Sequence, residues 1–295
     1  MVLCMKKICV FLLIFALILL PGCALGNTSY DIVATTLPVY NFTSILCEGT
    51  ELTVGMLVTE PVSCLHDYTL QVNQMRMLEA AEVLVISGAG LEDFLSDALS
   101  AANHVIDASA NTHVHSGTHH DDTHDHTHHH EQDPHIWLSP VNAAHMAETI
   151  CSGLVAQYPQ FEDTFRSNLI TLHLSLTNLQ NYGKSQLSSL SCRELITFHD
   201  GFGYFAESFD LTILEAIEEE SGSEASASEI IHLVELVREH HLPAVFTETN
   251  GSDACAGIIA AETNVKVFPL DMAMAGNSYF DAMYHNIDTV KEALK

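Results

Sequence analysis

The residues with the most evident chemistry lie in the segment 113–130, HVHSGTHHDDTHDHTHHH. Half of its positions are histidine and three are aspartate, while Val114 is its one aliphatic residue. Neutral imidazole is the commonest side-chain ligand of transition metals, and a segment this polar can hold metal ions loosely although it cannot build a core. The alternative is a solvated polar insertion. We predict a secondary, low-affinity metal loop at His113, His115, His119, His120, His124, His126, His128, His129 and His130.

Four other residues are candidates for a selective metal site, namely His66, His135, His199 and Asp271. Each follows a predicted strand or lies in a loop, where α/β proteins form their ligand sites. Three imidazoles and one carboxylate suit Zn²⁺, with Zn–N distances of about 2.0–2.1 Å and Zn–O distances of about 2.0–2.2 Å. Binding should weaken as the pH falls, because protons compete with the metal for the imidazoles.

Short apolar runs that alternate with helical periodicity predict the elements that position these residues. We predict strands at 31–35, 52–57, 83–87, 104–107, 195–198, 211–216, 244–247 and 265–270. We predict helices at 38–46, 70–80, 91–101, 140–157, 203–209, 228–240, 253–262 and 279–294, the 228–240 helix capped by Ser226 or Ser228. A proline-free stretch at 161–190 predicts one long helix.

This pattern indicates an α/β fold with two βα lobes, each built on a parallel sheet. The N-terminal lobe is predicted at 30–160 and includes a His-rich loop at 111–132 that we expect to be disordered. The long helix at 161–190 links it to a C-terminal lobe at 191–295. The metal site is expected in the cleft between the lobes, with two ligands from each.

The N-terminus predicts export from the cytoplasm. Lys6 and Lys7 precede an apolar run at 8–20 that is typical of a signal peptide. The following LPGC sequence resembles a bacterial lipoprotein cleavage box, which makes 1–22 the signal peptide, Cys23 the lipid anchor and 23–29 a tether. A plain secretory signal is the alternative. Either reading places the mature protein outside the cytoplasm, anchored to the membrane if Cys23 is lipidated.

The charge balance argues against nucleic-acid binding. Removal of Lys6 and Lys7 leaves 8 basic and 38 acidic residues, a formal charge of −30, whereas nucleic acids and anionic membranes need a basic surface. Disulfide bonds are possible outside the cytoplasm, but the sequence assigns no pairing. The cysteines of the mature chain other than Cys23 are Cys47, Cys64, Cys151, Cys192 and Cys255.

Two segments carry a resemblance to a known family. DPHIWLSP at 133–140 keeps a "DPHxWxxP" pattern in full, and FHDGFGYF at 198–205 is similar to "xHxAFxYF", with Gly201 in place of alanine. A "PHxYxP"-like segment departs here as LHDYTLQ, and an "LD" segment is present. From the cleavage box to the last helix, the chain resembles the zinc-binding solute-binding lipoproteins of bacterial metal-import ABC transporters.

The resemblance implies a function and a ligand set. It implies that His66, His135, His199 and Asp271 bind one Zn²⁺, which an ABC permease then imports. Manganese-type relatives usually carry glutamate at the third position, so His199 favours zinc. The resemblance also implies a monomeric protein without enzymatic activity, in which metal binding causes only a small rocking motion of the lobes.

Three alternatives remain open. The same fold could bind manganese or another divalent ion, or the protein could be a surface adhesin. A zinc hydrolase is less favoured, because Asp271 fills the open position that catalysis needs. Around the ligands, Cys64 is a minor ligand candidate and Glu248 could face the cleft. Glu60 and Asp200 are candidates for orienting a ligand ring, and packing is expected from Tyr68, Trp137 and Tyr204.

Overall fold

The computed structural model of the protein describes residues 29–61, 65, 68–110, 112, 133–217, 225–274 and 276–295. The predicted signal peptide 1–22, the anchor Cys23 and nearly all of the tether lie outside these residues. So do His66, Cys64 and the histidines of the 113–130 segment.

The N-terminal lobe is built on four parallel strands, β1 (Ile32–Ala34), β2 (Val54–Met56), β3 (Val83–Ile86) and β4 (Val105–Asp107). Their order in the sheet is β2-β1-β3-β4. The two central strands, β1 and β3, are buried on both faces, which explains why they read as continuous apolar runs. The helices are α1 (Leu37–Cys47), α2 (Val72–Ala80), α3 (Ser96–Ala101) and α4 (Pro140–Gln157).

One helix of 26 residues, α5 (Glu162–Leu187), links the lobes. Near its start, Asn168 donates to the carbonyls of Leu46 and Glu48 in the N-terminal lobe, at 2.9 and 2.8 Å. Further along, Gln180 donates to the carbonyl of Ser208 at 2.9 Å in the C-terminal lobe. The predicted helix, 161–190, was longer than the observed one. The observed helix ends at Leu187, because the Arg193 guanidinium donates a hydrogen bond to the Leu187 carbonyl at 2.9 Å.

The C-terminal lobe repeats the architecture with the parallel strands β5 (Glu194–Thr197), β6 (Thr212–Ala216), β7 (Ala244–Glu248) and β8 (Lys266–Leu270). Their order in the sheet is β6-β5-β7-β8. The helices are α6 (Gly203–Ser208), α7 (Ala227–Glu239), α8 (Ala254–Thr263) and α9 (Tyr279–Ala293). Ser226, one of the two predicted caps, begins α7 in a capping box with Glu229. The predicted α/β fold with two lobes joined by a long helix is confirmed. Among the helices of the described residues, none has the length and apolarity to cross a bilayer.

The predicted helix at 91–101 is shorter than expected. A 3-10 turn at Asp93–Leu95 replaces its first part, and only α3 is α-helical. The cause is Glu92, whose side chain turns inward and accepts hydrogen bonds from the backbone amides of Ser87 at 2.7 Å and Gly88 at 2.9 Å. Its backbone, at φ −98° and ψ 28°, is not α-helical.

Glu92 ties together the carboxyl ends of two central strands. Besides the two amides after β3, it accepts a hydrogen bond of 2.6 Å from the hydroxyl of Thr35, which directly follows β1. The side chain is buried, and this burial raises the pKa of its carboxyl to about 7, against an ordinary value of 4.5. The folded protein therefore holds the Glu92 proton more tightly than the unfolded chain, so ionisation of Glu92 lowers stability as the pH rises from 4.5 through 7.

The substitution Glu92→Gln removes this titration while it keeps the size of the side chain. As the pH falls from 8 to 5, we expect the wild type to gain about 2 kcal/mol in free energy of unfolding relative to the variant. Urea unfolding followed by circular dichroism measures this difference. Exposed Glu79→Gln is the control, and a constant difference between wild type and Glu92→Gln over this pH range would contradict the prediction.

Candidate metal centre

His135 is held rigidly at the start of the segment that leads into α4. The Asp133 carboxylate accepts two hydrogen bonds through one oxygen, from the His135 backbone amide at 2.9 Å and from its Nδ1 at 2.8 Å. With Nδ1 donating to Asp133, the lone pair of the neutral ring lies on Nε2. The hydroxyl of Tyr204 donates to the carbonyl of Asp133 at 3.1 Å. The ring of His135 thus has one orientation and one ligating nitrogen.

His199 lies just beyond the end of β5, opposite His135. Its Nδ1 is 3.6 Å from a carboxylate oxygen of Glu248, a buried residue that ends β7. The two ring centroids are 5.0 Å apart and the rings are nearly perpendicular, at 83°. Their Nε2 atoms are 3.3 Å apart. Each imidazole therefore has a carboxylate on its Nδ1 side and presents Nε2 to the other.

The separation of the two Nε2 atoms matches a tetrahedral metal site. Two nitrogens at about 2.05 Å from one ion and at the tetrahedral angle are about 3.3–3.4 Å apart. The observed 3.3 Å equals that separation, so an ion that displaces the proton shared by the two Nε2 atoms can bind both rings with little rearrangement of His135 or His199.

Cross-lobe hydrogen bonds fix the distance between the two rings. The indole of Trp137 donates to the carbonyl of Met272 at 2.8 Å, and the hydroxyl of Tyr279 donates to the carbonyl of Trp137 at 2.8 Å. The amide of Tyr279 donates to the side chain of Asn41 in the N-terminal lobe at 2.7 Å. The indole also lies edge-on to the His135 ring, with centroids 5.4 Å apart. Trp137 therefore packs beside the site, as expected.

Asp271 follows β8 and is anchored by its backbone. Its amide and carbonyl both bind the side-chain amide of Asn286, at 2.8 and 2.7 Å. Its Oδ1 accepts a hydrogen bond from the amide of Ala273 at 2.7 Å. Within the described residues, no three His, Cys, Asp or Glu side chains converge in a metal-binding group, so the structure unites His135 with His199 but does not add Asp271 to them.

The other candidate residues lie in varied surroundings. Glu60 accepts a hydrogen bond from the hydroxyl of Tyr68 at 2.8 Å, which lowers the pKa of its carboxyl. Among the described residues, Glu60 is not hydrogen-bonded to His135 or His199. Tyr68 also accepts a bond from Gln74 at 2.6 Å and packs edge-on against Phe94. Asp200 is partly exposed beside His199.

Sequence reasoning missed two residues that shape the site. Asp133 could have been recognised, because an aspartate two residues before a histidine can accept a bond from its backbone amide. Gly201 could not. A β-carbon at Gly201 would lie 2.7 Å from Cδ2 of His199, 2.9 Å from Nδ1 of His135 and 2.6 Å from the methyl carbon of Met272. This close approach is visible only in the folded protein.

Comparisons with known proteins identify the family of the chain. The family model described as ZnuA, zinc-uptake complex component A, periplasmic, matches residues 32–293. The zinc-binding lipoprotein AdcA of Streptococcus pneumoniae R6 is 28% identical over 310 residues, which cover 98% of this chain and 61% of AdcA. The chain thus spans about three fifths of that relative.

Two solved structures have the same fold. A crystal structure of ZnuA superimposes with a TM-score of 0.79 at 28% identity and covers 90% of this chain and 100% of ZnuA. The Zn(II)-bound ZnuA-like domain of S. pneumoniae AdcA gives 0.75 at 25% identity, with coverage of 90% and 99%. On the extent of the family match, the chain belongs to the ZnuA family, the periplasmic A components of zinc-uptake complexes.

Proposed function

We propose that this protein captures Zn²⁺ outside the cytoplasm and delivers it to the permease of an ABC importer. The single observation that carries the proposal is the Nε2 separation of 3.3 Å between His135 and His199, one from each lobe. Family membership and the zinc-binding relative AdcA support zinc as the cargo.

The full ligand set that we propose is His66, His135, His199 and Asp271. His66 would come from the loop after β2, at the carboxyl edge of the N-terminal sheet. Asp271 uses Oδ1 for the bond to Ala273, and a carboxylate has a second oxygen that can bind a metal. Metal binding would then draw Asp271 toward the two imidazoles.

Electrostatics makes such a site tolerable in a buried cleft. Zn²⁺ with three neutral imidazoles and one carboxylate carries a net charge of about +1. Asp133 and Glu248 lie directly behind the rings of His135 and His199 and offset this charge. Imidazole at position 199 favours zinc over manganese, which prefers oxygen ligands.

We also propose that the protein is a monomeric lipoprotein held by Cys23 and that it does not catalyse a reaction. A four-ligand zinc site leaves no position for an activated water, unlike a catalytic one. The histidines at 113–130 would collect zinc at low affinity near the cleft. Both ends of this insertion are tied to the N-terminal lobe, because Ala110 accepts a bond from Thr149 on α4 at 3.1 Å and Asp133 binds His135.

Calorimetric titration of the mature protein should reveal one tight zinc site and several weaker ones. Deletion of 113–130 should remove only the weaker sites.

The substitution His135→Ala should weaken the tight site by more than about 100-fold, because even the loss of an orienting partner costs about 10–100-fold. His145→Ala is the matched control, since His145 is an exposed histidine paired with Glu148 on α4. An unaltered tight site in His135→Ala would overturn the ligand assignment.

Competition between zinc and manganese tests the identity of the cargo. We expect zinc to bind more tightly than manganese by about two orders of magnitude or more, as nitrogen ligands follow the order in which manganese is the weakest. The deletion of 113–130 should keep this preference, because the selective site lies in the cleft. Equal affinities would point to another divalent ion as cargo.

The close approach at Gly201 provides a test that changes no ligand. In Gly201→Ala the new methyl group presses on both imidazoles, so we expect zinc affinity to fall by about tenfold or more, given that overpacking costs about 1–3 kcal/mol. Gly203→Ala is the matched control, because its β-carbon meets only Asp133, at an ordinary 3.5 Å. Equal zinc affinities of the two variants would show that Gly201 does not constrain the rings.

A further inference from the structure

Met272 places its methyl carbon beside both imidazole rings, near the Cδ2 edge of His199 and on the Nδ1 side of His135. The methyl carbon of Met272, Cδ2 of His199 and Nδ1 of His135 all lie within 2.9 Å of the point where a β-carbon at Gly201 would be. In this chain the space beside that position is filled by the end of the Met272 side chain.

The backbone around Met272 is fixed, and its side chain is buried. Its carbonyl accepts the indole hydrogen bond of Trp137 at 2.8 Å, and the turn from Asp271 to Ala273 closes around it. Met272 is only 2% exposed. A buried methionine packs as an apolar residue, but its thioether sulfur is also a soft metal ligand.

We infer that the cleft also binds a soft monovalent d¹⁰ ion, Cu⁺ or Ag⁺, through His135, His199 and the thioether sulfur of Met272. The inference rests on the proposed function in one respect, namely that the Nε2 atoms of the two imidazoles are metal ligands. Thioether and imidazole are the ligands that such ions select, whereas Zn²⁺ uses imidazole and carboxylate.

Charge explains why one cleft can accept both ions. Zn²⁺ with Asp271 and neutral imidazoles carries about +1, and a monovalent ion with two neutral imidazoles and a thioether also carries +1. The carboxylates of Asp133 and Glu248 therefore face the same net charge in both cases. The monovalent ion needs no carboxylate ligand, so it can bind without drawing in Asp271.

The geometry is compatible with both ions as well. The methionine side chain has three flexible torsions, so the sulfur can turn toward the ion while the ring positions are kept. Bent coordination by the two Nε2 atoms, 3.3 Å apart, leaves further positions on the ion open to a third ligand. Met272 is the soft donor beside these rings.

Titration with Ag⁺, which is stable in air, tests the inference on the full mature protein labelled with ¹³C at the methionine methyl groups. We expect the Met272 methyl resonance, assigned as the signal that Met272→Leu removes, to shift on Ag⁺ addition. Because the methyl group lies beside both imidazoles, its shift reports an ion in the cleft, and the affinity ratio separates coordination by the sulfur from binding to the imidazoles alone.

Affinity measurements provide the second readout. Met272→Leu should lower the ratio of Ag⁺ affinity to Zn²⁺ affinity at the cleft by about tenfold or more, as expected for the loss of one of three ligands. Met274→Leu is the matched control, because Met274 is equally buried in the same segment, and its ratio should equal that of the wild type. Asp271→Asn should change the ratio in the opposite direction, since only zinc uses the carboxylate.

A Met272 methyl signal that does not shift under saturating Ag⁺ would overturn the inference, and so would an unchanged affinity ratio in Met272→Leu. Neither result affects the zinc proposal. The variant His135→Ala tests the zinc proposal separately, because zinc binding depends on the imidazoles and not on Met272. The Met272 methyl signal can also be assigned through nuclear Overhauser contacts to the His199 ring, so the wild-type titration keeps the test decisive even if Met272→Leu folds poorly.

Discussion

The structure depends on one geometric constraint, the placement of two imidazole nitrogens 3.3 Å apart across the junction of two lobes. A carboxylate lies behind each ring: Asp133 is hydrogen-bonded to Nδ1 of His135 at 2.8 Å, and Glu248 lies 3.6 Å from Nδ1 of His199. A hydrogen-bonded partner of this kind fixes the orientation of a ligand ring. The two Nε2 atoms are within hydrogen-bonding distance of each other, and a cation bound between them would replace that contact.

The rest of the fold serves to maintain this separation. Parallel sheets bring the carboxyl ends of their strands to one edge, and both sheets present that edge to the junction. Trp137 and Tyr279 join the lobes through hydrogen bonds to backbone carbonyls, while α5 is bonded to both lobes along its length. Links of this kind tie the two lobes to each other at the junction and along the long helix.

Much of this architecture could be predicted from the sequence, because its signals are local. Buried parallel strands read as apolar runs, and the bounds of α4 agree with the predicted 140–157. The prediction of a helix at 91–101 was wrong in its first part, because Glu92 is hydrogen-bonded to residues outside the helix. Hydrophobic periodicity does not report such a contact. The prediction for the long helix extended past its observed end for a similar reason, since Arg193, from a later segment, binds the carbonyl at that end.

In the candidate site too, local features could be predicted from the sequence, whereas contacts made only in the folded chain could not. His135 and His199 could be identified by residue type and by motif, and the structure brings them together. The proximity of Met272 and Gly201 depends on two distant segments, so no spacing rule could reveal it. The position of Asp271 relative to the rings depends on the turn to Ala273 and on Asn286, which are likewise contacts made only in the folded chain.

The fixed ends of the histidine-rich insertion have an evolutionary consequence. Ala110 is bonded to α4 through Thr149, and Asp133 is bonded to His135, so the segment between them begins and ends on a rigid scaffold. The entropy of closing such a segment grows only slowly, by about 0.6 kcal/mol for each doubling of length. Mutation can therefore lengthen, shorten or recompose the insertion at little thermodynamic cost. If the insertion gathers metal as proposed, that capacity can evolve independently of the selectivity of the cleft.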